Sequence, residues 1–476
     1  MSAVLRIARE EWRALARDRA AAAGLLLLTV LTLLAALNAY ERQRNANLER
    51  AHYQAAANEA FEAQPDRHPH RMVHFGHFLF RPLNPLAAFD AGIDGYTGHT
   101  LFLEGHRQNS ANFGDVRQAS LLLRFGELTP AFVLQTLAPL LLVFVGHAGV
   151  ARERESGTLR VLLAQGVRSR RLVLGKLLAL AGFAVLALLP ALLGLAWLAA
   201  TGQAAWQPAA LLAAGYAGWL AFWSLIVVAV STLAARSRDA LLALLAAWVF
   251  LVILLPRWVP DLAGTLVALP TRFEDNILVQ RDYLALGDAH DPKDPKFAAF
   301  RDRLLRQYGV SRIEDLPVNY KGLVGIEGER QSTEVFKRYA DAAFARQARQ
   351  NALVDGFGWL SPVLALRRLS MAMSGTDLAA FQGFSERGEA YRYALVQGLN
   401  RLQAEELRYA DDTNPDRENR VSRSHWHAFP AFQHAPPPLA DTMRRAAPAG
   451  TILLLWLAVL AGAAWTVAGR LERSVR

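Results

Sequence analysis

Residues 177–200 read LLALAGFAVLALLPALLGLAWLAA, twenty-four positions without a charged side chain. At about 1.5 Å of rise per residue, such a helix exceeds the roughly 30 Å of a bilayer's hydrocarbon core. Similar charge-free blocks flank it at Ala20–Tyr40, Ala131–Val150, Ala209–Ala235, Ala240–Pro256 and Ala446–Gly469. They set six spans at 20–40, 131–150, 172–200, 209–235, 239–256 and 449–469. The fifth is the shortest, but Trp258 and Val259 extend it past Arg257, whose long stem can snorkel to the interface. With 53% hydrophobic and 20% charged residues gathered this way, the chain reads as an all-α membrane protein.

Six spans put both termini on one side, together with 1–19, 151–176, 236–239 and 470–476. These segments hold seventeen basic and seven acidic residues, while the remaining thirty-five of each sign cancel. The whole net charge of +10 therefore lies on one face, which the positive-inside rule makes cytoplasmic. The basic excess is thereby explained by topology, and nucleic acid is not expected as a partner. In residues 1–19, Val4, Ala8, Trp12 and Leu15 form one stripe and Arg6, Arg9, Glu10, Arg13 and Arg17 the opposite face. That pattern predicts an interfacial helix lying on membrane lipid. The length of the first apolar block favours an uncleaved anchor over a signal peptide.

Residues 41–130 and 257–448 make up more than half of the chain and fall on the other side. The first continues the span as a polar run, Glu41–Gln64, then becomes aromatic and Gly/Pro-rich from Phe75 to Gly105. The second reads mostly helical, with breaker-poor runs at Phe297–Tyr308, Glu329–Val354 and Glu386–Leu407. The two inserts are large enough to build one joint, largely helical domain.

The chemistry is bounded by what is missing. Without cysteine there is no disulfide, thiolate metal site or cysteine nucleophile. No G-x-x-x-x-G-K-S/T loop occurs: before Gly175-Lys176 the first glycine is replaced by Arg170, and Leu177 follows in place of the hydroxyl. No H-E-x-x-H or G-x-S-x-G motif occurs either. The spans are nearly bare of ionisable groups, which disfavours an ion-driven carrier. No catalytic residue is assigned, and any energy must come from a partner.

Between spans two and three runs ARERESGTLRVLLAQGVRSRRLVLGK, residues 151–176. Ser156 or Thr158 can cap a short helix, Leu159, Leu162 and Leu163 share one of its sides, and Gly166 can end it. This segment resembles the signature of ABC-2 type transporter permeases: acidic residues, G-T-L, a leucine pair, a basic stretch and G-K. The matching residues are Glu153, Glu155, Gly157, Thr158, Leu159, Leu162, Leu163, Arg168, Arg170, Gly175 and Lys176, with Gly166 where the family often has proline. The resemblance implies a coupling helix over 151–171, in which Arg152, Glu153, Glu155, Gly157, Thr158, Leu159, Arg160, Leu162 and Leu163 dock on a separate ABC ATP-binding subunit. It implies an exporter of the bacterial inner membrane that binds no cofactor itself, with ATP and Mg in the ATPase and a second, identical or homologous permease completing a dimer. The inserts resemble a sub-branch with large extracytoplasmic regions after spans one and five. The residues that suggest it are Asn84-Pro85, Asp90–Ile93, Gly98, Trp359–Pro362, Gly375–Asp377, Tyr391-Arg392 and Phe429–Phe432. A membrane-anchored scaffold whose outer domain binds an envelope partner is the alternative function.

Six of the twelve histidines, His68, His70, His74, His77, His99 and His106, gather between residues 68 and 106 of the first insert. His68, His70, His74 and His77, with Met72, offer donors for copper or zinc, and His74 and His77 at i, i+3 suit one helical face. The spacing defines no ligand set, so packing in an aromatic loop is the favoured reading and no metal is assigned. Pro139 and Pro190 are candidate kinks in spans two and three.

Overall fold

The computed structural model describes residues 2–112, 128–289, 291, 293–414 and 419–471. Helix α1 (Ala3–Arg17) starts on the Ser2 hydroxyl. Asp18 follows it and accepts the Ala20 and Ala21 amides at 2.9 and 3.3 Å, so α2 (Arg19–Glu62) begins at once in a new direction. With no breaker in its sequence, α2 runs 44 residues, which at the standard rise is about 66 Å. Its polar second half is tied to the first insert, where Asn47 and Arg50 donate to the carbonyls of Leu83 and Arg81 (3.0 and 2.9 Å). There α3 (Pro69–Val73) leads into β1 (His77–Phe80), which pairs antiparallel with β2 (Thr100–Leu103) in the register His77 to Leu103.

The second span is α4 (residues 130–146), followed by α5 (Ala151–Glu155) and α6 (Thr158–Ala164). Spans three, four and five are α7 (Ser169–Ala200), α8 (Trp206–Leu233) and α9 (Ser237–Leu266). The outer helices are α10 (Arg272–Leu284), α11 (Ala298–Tyr308), α12 (Tyr320–Gly356), α13 (Pro362–Ser374) and α14 (Leu378–Glu406). The last span is α15 (Leu439–Leu471). Six described helices are long and apolar enough to cross a membrane, as expected of an all-α membrane protein. Most of the expected tail 470–476 lies outside the described residues.

The core forms around α8, whose Tyr216, Trp219, Phe222 and Trp223 are buried against the neighbouring spans. Trp206, Trp258 and Trp465 remain exposed, so the tryptophans divide between packing and the periphery. Helix α13 packs into this core through Val363, Leu366, Leu369 and Met373. The reading of 257–448 as a region apart from the bundle missed it, since thirteen residues with Arg367 and Arg368 at the centre cannot register as a span. The two inserts share a second core, in which Phe61, Met72 and Val73 meet Leu395, Val396, Leu399 and Trp426.

Two of the spans contain a wider π-helical turn, at Val133–Leu137 in α4 and Val249–Leu254 in α9. Each lies just before a proline, Pro139 and Pro256, whose missing N–H removes one helical bond. Two carbonyls in these turns receive side-chain donors: Trp248 Nε1 bonds Thr136 O at 3.0 Å, and Ser361 Oγ bonds Leu251 O at 2.7 Å. Pro190, by contrast, sits inside an unbroken α7.

Candidate functional site

At the end of the bundle that carries both termini, the chain leaves α4 and forms an elbow, α5 and α6, before entering α7. The turn between the two short helices needs Gly157, whose φ is +77°. Nothing lies within 4 Å of where its Cβ would stand, so conformation and not space requires glycine here. The expected hydroxyl cap does not form: Gly157 itself occupies the N-cap of α6, and Ser156 Oγ and Thr158 Oγ1 lie 2.8 Å from each other instead. Gly166, with φ +83°, follows the end of α6 as its position in the sequence suggested.

Much of the elbow holds the bundle end together. The Ser231 hydroxyl accepts the amides of Val150 and Ala151 (3.0 and 3.2 Å). Arg154 donates to the carbonyls of Thr232, Leu233 and Ala234 (2.8, 3.1 and 2.7 Å), capping α8. Glu155 accepts from Ser237 N and Oγ (3.2 and 3.0 Å) at the start of α9. Glu153 pairs with Lys176 at 2.7 Å, and the same ammonium meets Glu11 of α1 at 2.5 Å. Gly175, beside that lysine, lets α1 approach closely, since a Cβ there would stand 2.6 Å from Ile7 Cγ2.

Leu159, expected among the docking residues, is turned inward. It is 1% exposed, packed with Val150, Leu172 and Leu471, so its side chain anchors the elbow. Leu162 and Leu163 are half-buried against that cluster. The solvent face includes Arg152, Thr158, Arg160 and Val161, the last 54% exposed. Arg154 and Val161 were missed. An i, i+3 comparison with Thr158 would have placed Val161 on the outward side, but no sequence signal ties Arg154 to the end of α8.

At the other end, a cavity of about 2480 Å³ lies between the π turns of α4 and α9 and helices α10, α12, α13 and α14. At its edge a buried chain of hydrogen bonds links the spans to the inserts. Gln135 Nε2 donates to the Tyr216 hydroxyl (2.7 Å), which stands 3.0 Å from Ser370 Oγ, and Ser370 donates to the Asp90 carboxylate. Arg367 Nε donates to Gln135 Oε1 at 3.1 Å. Asp90, one of the residues that suggested the sub-branch, thus joins the first insert to α8 and α13.

The histidines separate. His68 bonds the Asp412 carboxylate at 2.8 Å, and His77 goes into β1, buried against Phe61 and Tyr391. Burial lowers the His77 pKa to about 4. The proposed face shared by His74 and His77 does not exist, because α3 ends before His77.

Six apolar helices, a charged elbow at one end and a large cavity at the other define a multi-pass membrane protein built as a permease. A family model described as an ABC-2 family transporter protein matches residues 5–274, more than half of the chain. The chain therefore belongs to the ABC-2 transporter family, as a membrane subunit. A domain of unknown function, DUF3526, matches residues 276–435. No curated protein matches the chain.

Proposed function

We propose that the protein is the permease subunit of an ATP-driven exporter, in which a separate ABC ATP-binding subunit docks on the elbow. The observation that carries this reading is the exposed face of Arg152, Thr158, Arg160 and Val161, raised on a base that reaches four of the six spans. A push on α6 would pass through Arg154 to α8, through Glu155 to α9 and through Glu153 and Lys176 to α7 and α1. Such a base converts a local contact into movement of several helices. Within the predicted site, Glu153, Glu155, Gly157, Leu159, Leu162 and Leu163 shape and brace the elbow, and Arg152, Thr158 and Arg160 meet the ATPase.

In this reading ATP and Mg stay in the partner, and a second permease, identical or homologous, completes the transporter. The positive-inside rule puts the elbow and both termini in the cytoplasm and the cavity end outside the bacterial inner membrane. The cavity favours transport over the scaffold alternative, since a purely mechanical anchor has no use for a chamber of about 2480 Å³ between spans and outer domain. The test is ATP hydrolysis by the permease co-purified with an ATP-binding subunit and reconstituted in lipid. Arg160→Glu with Val161→Asp should abolish association while leaving the permease folded, and association unchanged in that double variant would refute the docking face.

A further inference from the structure

His70 and His74 stand one turn apart at α3, and His106 approaches them from the turn after β2. The Nε2 atoms of His70 and His74 are 3.2 Å apart, and donor nitrogens of all three rings fall within 4.8 Å of one another. Two imidazole nitrogens bound tetrahedrally to zinc at about 2.0–2.1 Å are about 3.3–3.4 Å apart, so the first pair already has the separation a metal would impose.

His106 is held by its surroundings. It is the one described non-glycine residue with a positive φ, +60°, a conformation that persists only where neighbours enforce it. Its backbone N–H donates to Glu329 Oε2 at 2.9 Å, and its Nδ1 lies 3.2 Å from the same oxygen. Glu329 is fully buried, and its other oxygen accepts from Arg392 Nη1 at 2.6 Å. A carboxylate oxygen placed at Nδ1 accepts the ring N–H there and leaves Nε2 as the ligating nitrogen, the usual support of a metal-bound histidine.

We infer that His70, His74 and His106 form a three-histidine site for a divalent metal ion of the zinc and copper class, with Glu329 as the carboxylate that orients His106. Three imidazoles without a carboxylate in the ligand set suit such ions and not magnesium or calcium. His74 and His106 also line the large cavity, so the fourth coordination position opens toward it, to water or to a donor atom of a molecule held there. Of the four histidines the sequence suggested, the site keeps His70 and His74 and adds His106, since strand formation removes His77 and Asp412 engages His68. It does not depend on the transport reading.

The test uses the full chain in lipid nanodiscs, purified without a polyhistidine tag, stripped with chelator and titrated with Co(II) and then Zn(II). The expected result is one Co(II) per chain with the visible bands of a four-coordinate ion, displaced by Zn(II). His74→Ala, at an exposed position, should weaken binding by more than about 100-fold, and Glu329→Gln by about 10- to 100-fold. His427→Ala, an exposed histidine elsewhere, should bind like the wild type. A thermal melt checks that each variant is folded. Absence of stoichiometric binding, or wild-type affinity in both His70→Ala and His74→Ala, would overturn the inference.

Discussion

Buried titratable side chains set how the outer domain responds to pH. Both ring nitrogens of His77 are buried without a hydrogen-bond partner, and its pKa falls from 6.5 to about 4. The unfolded chain takes up a proton below pH 6.5 that the folded chain refuses, so stability falls as pH drops from about 6.5 to about 4. The full loss is on the order of 3 kcal/mol. His77→Phe should flatten melting temperatures measured between pH 7 and 5, and an unchanged slope would locate the effect elsewhere. Glu329 acts in a lower window: its depressed pKa contributes stability above about 4.5 that is lost as pH falls toward about 2. Arg392, 1% exposed, bonds Glu329 at 2.6 Å and Glu389 at 2.7 Å. Arg392→Met strands the buried Glu329 carboxylate and the half-buried Glu389 and should cost about 3–5 kcal/mol in denaturant unfolding. Arg392 and Glu389, three apart on α14, are a pair that helical spacing could suggest, whereas the Glu329 pairings join residues more than sixty positions apart and the burial of His77 depends on which face of a strand turns inward.

Elements with a strong local signal could be read directly. The apolar blocks gave the spans, and the glycine at 166 gave the end of α6. Local hydroxyls were a weaker guide, since Ser156 and Thr158 satisfy each other and leave the cap to Gly157. The amphipathic stripe of α1 was visible, but not what it covers. Ile7 and Glu11 belong to its inner side, and Gly175 and Gly182 of α7, seven residues apart, receive Ile7 and Trp12. Gly175→Leu should therefore lift α1 from α7. Limited proteolysis at the arginines of α1 should speed up while α7 stays intact, and unchanged cleavage would mean that α1 docks some other way. Helix α13 and the β1/β2 pair escaped for a common reason. Their short segments take their structure from what they pack against, and tertiary burial overrides local propensity.

At the scale of the molecule, charge and helix count together fix an orientation that experiment can check. The chain has no cysteine, so each introduced thiol is unique. Cysteines at Gln165 and Arg238, both exposed at the elbow end, should be shielded from an impermeant reagent in intact cells, whereas ones at Ser110 and Ser424 should react. The reverse pattern would invert the topology. Transmission is the larger claim. One apolar cluster gathers Val150, Leu159, Leu172 and Leu471 with Ile7, so α1, the elbow, α7 and α15 meet at a single point. This packing lies beside the polar links from Arg154 to α8, from Glu155 to α9 and from Glu153 to Lys176. The decisive measurement is lipid-reconstituted ATP hydrolysis and co-elution with the ATP-binding subunit, comparing wild type with the Arg160→Glu, Val161→Asp double variant and with Glu155→Lys. The account predicts that the double variant loses association, and that Glu155→Lys retains association but loses permease-dependent stimulation of hydrolysis. Wild-type association and turnover in both would contradict coupling through the elbow.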